Sequence, residues 1–99
     1  MLTYEVTATV EERLRASYVE YMRGEHIPAV LATGCFAGAV FEQASDGRFR
    51  VRYQSPSQAK LELYMRDHTA RLREEFSVHF PSGVVLFREV WSEVARWRR

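Results

Sequence analysis

Four stretches of the chain show the pattern of β-strands. In residues 2–10 (LTYEVTATV), apolar and polar residues alternate with a period of two, and β-branched residues are frequent. Residues 48–53 (RFRVRY) alternate in the same way, with arginines on one side and apolar side chains on the other. A third strand is predicted over 36–44 (FAGAVFEQA), joined to 48–53 by Asp-Gly, a dipeptide that favours a tight hairpin. The last predicted strand spans 84–91 (VVLFREVW).

The first helical pattern covers residues 11–26. Side chains four positions apart share one face of this helix: Leu14, Tyr18, Met22 and His26. Pro28 disfavours helical geometry at Ile27, so this helix is expected to end or kink there. Pro28 then suits the first position of a short second helix over 28–33, with Gly34 as its C-terminal stop.

The second long helical pattern follows Ser55-Pro56. Ser55 is the predicted N-cap, and Pro56 is predicted to be the first residue of the helix. The apolar side of this helix is predicted to carry Leu61, Tyr64 or Met65, His68, Leu72 and Phe76. A single helix is therefore expected, ending before Pro81 and Gly83. The tail, residues 92–99, fits either a strand or a helix.

The element order β-α-β-β-α-β predicts an α+β protein. Strands and helices in this order are typical of the ferredoxin-like fold, in which an antiparallel sheet carries helices on one face. No linker or low-complexity segment interrupts the pattern, so residues 1–99 are expected to form one domain.

Charge and composition narrow the partners. Fourteen basic and 13 acidic residues give a net charge of +1, which offers no electrostatic case for nucleic acid or an anionic membrane. No stretch is apolar for the ~18 residues that a membrane span needs. Cys35 is the single cysteine, which predicts no disulfide, no cysteine metal cluster and a cytoplasmic location. Hydrophobic residues make up 46% of the chain, a surplus that suits a surface for a partner.

His26 is the foremost candidate for chemistry. Imidazole titrates near neutral pH, so His26 could act as a general acid or base, or bond a substrate, in a cleft between helix and sheet. It could instead close the helix, because a histidine in the last turn interacts with the helix dipole and with free carbonyls. The sequence leaves both interpretations open.

A small-molecule pocket is the second hypothesis. Its candidate ligand-binding residues are Tyr4, Tyr18, Met22, Tyr53 and His68. Aromatic and methionine side chains at these spacings also suit an ordinary core, and a half-buried His68 with one hydrogen bond would be equally ordinary. No histidine or carboxylate spacing indicates a metal site, and no cofactor is predicted. An RNA-binding sheet is disfavoured, because the aromatics of residues 48–53 are expected to face the helices.

The stretches YEVTATV, YMRGEHIPAVLATGCF, RFRVRYQ and HTARLREEF resemble the family of short bacterial proteins called domain of unknown function 4286. That family belongs to the dimeric α/β-barrel group of ferredoxin-like folds. Residues 26–34 carry its His-Ile-Pro and Val-Leu-Ala-Thr-Gly patterns. Thr69 and Ala70 depart from its later His-Ala-Pro-Arg-Leu-Arg pattern, which otherwise agrees. The resemblance implies the fold and a homodimer. It implies no chemistry, because the family has no established activity.

These observations leave three functional hypotheses. The first is an uncharacterised homodimer that binds a small molecule or has a structural role. The second is a cofactor-independent enzyme, an isomerase or a monooxygenase, because the wider fold group includes both. His26 would be its acid/base, and Tyr4, Tyr18 and Tyr53 would position the substrate. The third is a protein-interaction module, suggested by Trp91, Trp97 and the arginine-rich tail.

Overall fold

The computed structural model describes residues 1–99, which form one four-stranded sheet and one helical layer. The strands are β1 (Leu2–Val10), β2 (Gly38–Gln43), β3 (Phe49–Ser55) and β4 (Val84–Ser92). The α-helices are α1 (Arg15–Tyr21), α2 (Ile27–Ala32), α3 (Gln58–Asp67) and α4 (Thr69–His79). A 3-10 turn, Glu12–Leu14, precedes α1, and a π-helix, Met22–His26, joins α1 to α2.

The sheet has the order β2-β3-β1-β4, and each neighbouring pair is antiparallel. At its centre, Val6 of β1 lies between Val51 of β3 and Arg88 of β4. This is the ferredoxin-like arrangement that the element order predicted, and the α+β prediction is confirmed. The four predicted strands are confirmed, with ends that differ by one or two residues.

The two faces of the sheet differ sharply in burial. The helices cover one face, here called the inner face, where Tyr4, Ala8, Val51 and Tyr53 are all buried. The opposite, outer face carries the polar residues of β1 and the arginines of β3. Because strand side chains alternate, the period-two pattern of residues 2–10 and 48–53 determines which residues face the helices. The aromatics of β3 face inward, as predicted.

The predicted end or kink at Ile27 coincides with the π turn, and the predicted short second helix is α2 (Ile27–Ala32), with Pro28 in its first turn. Ile27 keeps helical backbone angles, and its N–H donates to the carbonyl of Met22, five residues earlier. This π-type turn widens the helix at the Gly24 carbonyl, the group that the Pro28 ring would strike in a regular α-helix. The helix therefore passes through Pro28 and ends as predicted near Gly34, which has a φ of 76°.

Ser55 is not an N-cap, which is a correction to the prediction. It is the last residue of β3, fully buried, and its hydroxyl donates to the Ser57 carbonyl at 3.0 Å, with the Cys35 carbonyl 3.4 Å away. The strand extends further than predicted because Ser55 still pairs with Leu2. Ser57 caps the helix instead, and its side chain accepts a hydrogen bond of 3.2 Å from the Lys60 N–H.

The predicted single helix after Ser55 is also wrong, because the chain forms α3 and α4 in its place. The break lies at His68, whose φ of −125° leaves the helical region. The hydroxyl of Thr69 donates to the Tyr64 carbonyl at 3.0 Å, a side-chain bond that competes with regular helical bonding. The tail prediction is likewise corrected, since residues 93–99 form neither strand nor helix.

Candidate functional site

A narrow cavity lies between the inner face of the sheet and the helical layer. Its wall is formed by strands β1, β3 and β4 and by α1, the π-helix, α3 and α4. The lining residues are Tyr4, Val6, Tyr18, Met22, His26, Tyr53, Tyr64, Leu72, Arg73, Phe76, Leu86 and Arg88. Its volume is about 30 Å³, enough for a water molecule but too small for an organic ligand.

The cavity gathers five of the six residues that the sequence singled out as candidates. They are Tyr4, Tyr18, Met22, His26 and Tyr53. His68, the sixth, is not in the wall. It lies half-buried at the junction of α3 and α4, with its ring 6.3 Å from that of Tyr64 between centroids. The two histidines therefore do not share one pocket.

His26 reaches the cavity from the π-helix. Neither ring nitrogen makes a hydrogen bond with another protein group, so the imidazole is not a helix cap in this conformation. Its ring lies 5.5 Å from that of Phe76 and 6.0 Å from that of Tyr21 between centroids. Burial lowers the pKa of His26, and the nearby Glu75 opposes this effect. Neutral imidazole is thus favoured, with one nitrogen able to accept a proton.

Four tyrosines line the cavity: Tyr4, Tyr18, Tyr53 and Tyr64. The ring of Tyr4 lies 6.0 Å from that of Tyr53 and 5.9 Å from that of Tyr64 between centroids. Burial raises the pKa of Tyr18, Tyr53 and Tyr64 above the usual tyrosine range. These three side chains are neutral phenols at physiological pH, and they present flat apolar rings with a few hydroxyl groups.

Two arginines, Arg73 on α4 and Arg88 on β4, complete the wall, and the sequence reasoning did not identify them. Both are exposed, and neither forms an ion pair with a carboxylate. Their charges oppose the effect of burial on the pKa of Tyr64. A signal for Arg88 was present in the sequence: it occupies an inward position in the alternation of β4, where an apolar residue is expected.

Cys35 lies outside this site. Cys35 is buried, and its thiol makes one hydrogen bond, to the Thr33 carbonyl at 3.8 Å. No base accompanies it, so the arrangement gives no support to a nucleophilic role. No group of three or more histidine, cysteine, aspartate or glutamate side chains is placed to hold a metal ion. No helix is long and apolar enough to cross a membrane.

The outer face of the sheet forms a second notable surface. Glu5 lies at its centre, 3.9 Å from Arg50 and 3.8 Å from Arg52 between charged atoms. The indole N–H of Trp91 also donates to Glu5, at 3.1 Å. Large apolar side chains around this polar centre are exposed to solvent: Val40, Val85, Phe87 and Trp91.

Solved structures share the fold at low sequence identity. A Deinococcus radiodurans protein proposed to be an antibiotic biosynthesis monooxygenase aligns with a TM-score of 0.72, at 10% identity, over 100% of this chain and 98% of its own. The monooxygenase ActVA-Orf6 of Streptomyces coelicolor, in complex with nanaomycin D, aligns with a TM-score of 0.66, at 16% identity, over 98% and 92%. At these identities the likeness shows the fold alone.

A dimeric ferredoxin-like protein from an uncultured marine organism aligns as well. Its TM-score is 0.65 at 12% identity, and the alignment covers 99% of this chain and 98% of that one. The class defined by these likenesses is the ferredoxin-like α+β fold. The sequence itself matches the family described as domain of unknown function (DUF4286) over residues 1–94, and the chain belongs to this family. None of the curated proteins matches it.

Proposed function

We propose that the protein is a homodimer that binds a small organic molecule in the cavity beside His26. The observation that carries this proposal concerns His26. Its ring lines a cavity together with four tyrosines, and its ring nitrogens make no hydrogen bond with another protein group. Pockets for small molecules are mostly apolar, with a few polar groups that converge on the ligand. The cavity has this composition, with phenol hydroxyls, one imidazole and two guanidinium groups among apolar side chains.

A ligand larger than water has to widen the cavity, whose volume is about 30 Å³. Three lining side chains are suited to move. Arg73 and Arg88 are exposed and break no ion pair when they swing outward. Met22 is buried but unbranched, and methionine adapts readily to a changed packing environment. Binding would therefore open the cavity on the side of α4 and β4.

The homodimer is proposed from the outer face of the sheet. An exposed apolar patch beside a polar centre is typical of a surface that contacts another protein. A second copy is the proposed occupant because a dimeric ferredoxin-like protein shares this fold over nearly its whole length. The outer face lies on the opposite side of the sheet from the cavity, so both could be occupied together.

Native mass spectrometry of the freshly purified protein tests both parts of the proposal. The wild-type protein is expected as a dimer with added mass from a bound molecule. His26→Ala should remain dimeric and lose this added mass, while the matched control His68→Ala should retain it, because His68 lies away from the cavity. A monomer would contradict the homodimer. A dimer without added mass in every variant would contradict the pocket and favour a structural role.

A cofactor-independent enzyme, an isomerase or a monooxygenase, is the second candidate. The observation in its favour is that burial lowers the pKa of His26, which keeps the imidazole neutral and able to take a proton. Of two proteins with this fold, one is named as a monooxygenase and the other is proposed to be one, although the likeness in itself concerns the fold. In this candidate His26 removes a proton from the ligand, and the tyrosines hold the resulting anion.

Proton exchange provides the test of this candidate. The enzyme should accelerate the exchange of the acidic C–H protons of 2-tetralone for deuterium, as followed by NMR. General-base catalysis typically contributes about 10²- to 10⁴-fold, so His26→Ala should lose most of the acceleration. An equal rate in His26→Ala and wild type would contradict the enzymatic candidate.

We also propose that residues 1–99 form one domain and that the protein is bacterial and cytoplasmic. The free Cys35 is consistent with the cytoplasmic location.

A further inference from the structure

We propose that the ligand of the cavity is an anionic aromatic molecule whose acid group binds between Arg73 and Arg88. The assignment of this class rests on the proposed function, because it requires the cavity to be a binding site. Two features of the wall carry it. One is the pair of arginines without carboxylate partners, and the other is the set of aromatic rings that line the same cavity.

Six of the 13 arginines have no carboxylate within ion-pair distance, and Arg73 and Arg88 are the two of these that line the cavity. Seven other arginines lie within ion-pair distance of a carboxylate: Arg13, Arg48, Arg50, Arg52, Arg66, Arg71 and Arg96. Arg73 and Arg88 come from different elements, α4 and β4, and meet at the same cavity without such a partner. The nearby Glu75 lies 3.6 Å from Arg71. The cavity therefore has two cationic groups and no lining carboxylate to balance them.

Guanidinium groups favour a particular kind of partner. Their planar N–H donors match the two oxygens of a carboxylate, and such charge-assisted hydrogen bonds are about twice as strong as neutral ones. An anion at this position would also reduce the mutual repulsion of Arg73 and Arg88. A cationic ligand would be repelled by both guanidinium groups, and a neutral ligand would gain no attraction between opposite charges.

The remainder of the wall selects an aromatic body. The rings of Tyr4, Tyr53 and Tyr64 form one side, and Phe76 lies on another. Flat ligands pack well against aromatic rings in offset or tilted arrangements. His26 also lines the cavity, where its ring can bond a hydroxyl or carbonyl of the ligand. The ligand is thus expected to be flat, with its acid group directed toward solvent.

Three naphthalene compounds test the preference for an anion. They share the same aromatic body and differ in charge: 2-naphthoate, 2-naphthalenemethanol and 2-naphthylmethylamine. Binding to the intact protein can be measured by NMR titration at neutral pH. Wild type should bind naphthoate at least about tenfold more tightly than the alcohol, and the amine least tightly. Arg88→Gln and Arg73→Gln should each weaken the binding of naphthoate by about tenfold, while the affinity for the alcohol changes little.

Arg23→Gln is the matched control, because Arg23 is an exposed arginine of the π-helix that does not line the cavity. It should bind all three compounds as wild type does. Equal or tighter binding of the alcohol or amine, with shifts at the cavity, would overturn the anion preference and leave the pocket intact. Failure of all three compounds to bind would contradict both the anion preference and the proposed function. Unchanged naphthoate affinity in both arginine variants would overturn the role of the arginine pair.

Discussion

The two faces of the sheet are made from the same strands but have opposite relations to solvent. On the inner face, Ala8 and Val51 are fully buried under helices. On the outer face, Phe87 is 62% exposed and Trp91 is 54% exposed, around a polar centre at Glu5. The inner face is thus completed by the chain itself, apart from a small cavity. The outer face has apolar surface that this chain leaves uncovered.

The difference shows how one strand pattern can serve two purposes. Alternation places every second residue of β1 in the core and the others on the outer face. Substitutions on the inner face are therefore expected to change folding. Substitutions on the outer face are expected to change association, and those at the cavity are expected to change binding. Adjacent residues in one strand can be used to separate these effects.

The largest expected effect comes from Ala8→Asp on the inner face. Burial of an unpaired carboxylate costs several kcal/mol, a large part of the ~5–15 kcal/mol by which domains are stable. This variant should be unfolded or largely unfolded by circular dichroism. Thr7→Asp, the neighbouring control, places the same charge on the outer face opposite Arg50 and should remain folded. Equal losses of structure in the two variants would contradict the assignment of the faces.

The next largest effect is expected from Phe87→Asp on the outer face. Loss of a buried phenylalanine costs about 1.5–3 kcal/mol, and a symmetric dimer loses two such side chains. The dissociation constant of the dimer should therefore rise at least about 100-fold. Sedimentation equilibrium should show a folded monomer. Val78→Asp is the matched control, because Val78 is 76% exposed on α4 and lies away from the sheet. A dimer unaffected by Phe87→Asp would place the interface elsewhere.

A smaller effect concerns the pH dependence of stability through His26. Burial lowers its folded-state pKa below the ordinary 6.5, so the folded protein resists a proton that the unfolded chain accepts. The free energy of unfolding is therefore undiminished by His26 above pH 6.5 and decreases as the pH falls below that value. Urea midpoints at pH 7.5 and 5.5 should therefore fall more in wild type than in His26→Gln. Identical pH dependence in both proteins would contradict a desolvated His26.

The smallest effect is expected from Glu42→Gln at the edge of the outer face. Glu42 and Arg50 form an exposed ion pair of 2.8 Å, and such pairs contribute little to stability. The urea midpoint should change only slightly at low salt and not at all in about 1 M NaCl, where charges are screened within a few ångströms. A large, salt-independent loss would show that Glu42 has a structural role beyond this pair.

Much of the fold was predictable because alternation and helical spacing are strong local signals. Three departures from the predicted pattern have different physical causes, and only the one at Ser55 depends on a contact distant in sequence. Pro28 is accommodated by a π turn, Ser55 is held in the sheet by Leu2, and His68 interrupts a helix whose Thr69 bonds the Tyr64 carbonyl.

The site was predictable in part for the same reason. His26 and the tyrosines stood out by residue type and by the face they occupy. Arg73 did not, because an exposed arginine on a helix is ordinary in sequence. Only the packing of α4 beside β4 brings it to the cavity with Arg88. Arg88 could have been noticed as a charged residue at an inward position of its strand.

A crystal structure of the protein grown with 2-naphthoate would test the contrast between the faces most directly. The predicted result is two copies in contact through Phe87 and Trp91, with naphthoate in each widened cavity. Its ring should lie against the tyrosines near His26, and its carboxylate between Arg73 and Arg88. Naphthoate bound on the outer face, or a cavity that stays closed while the outer face contacts solvent, would contradict the account.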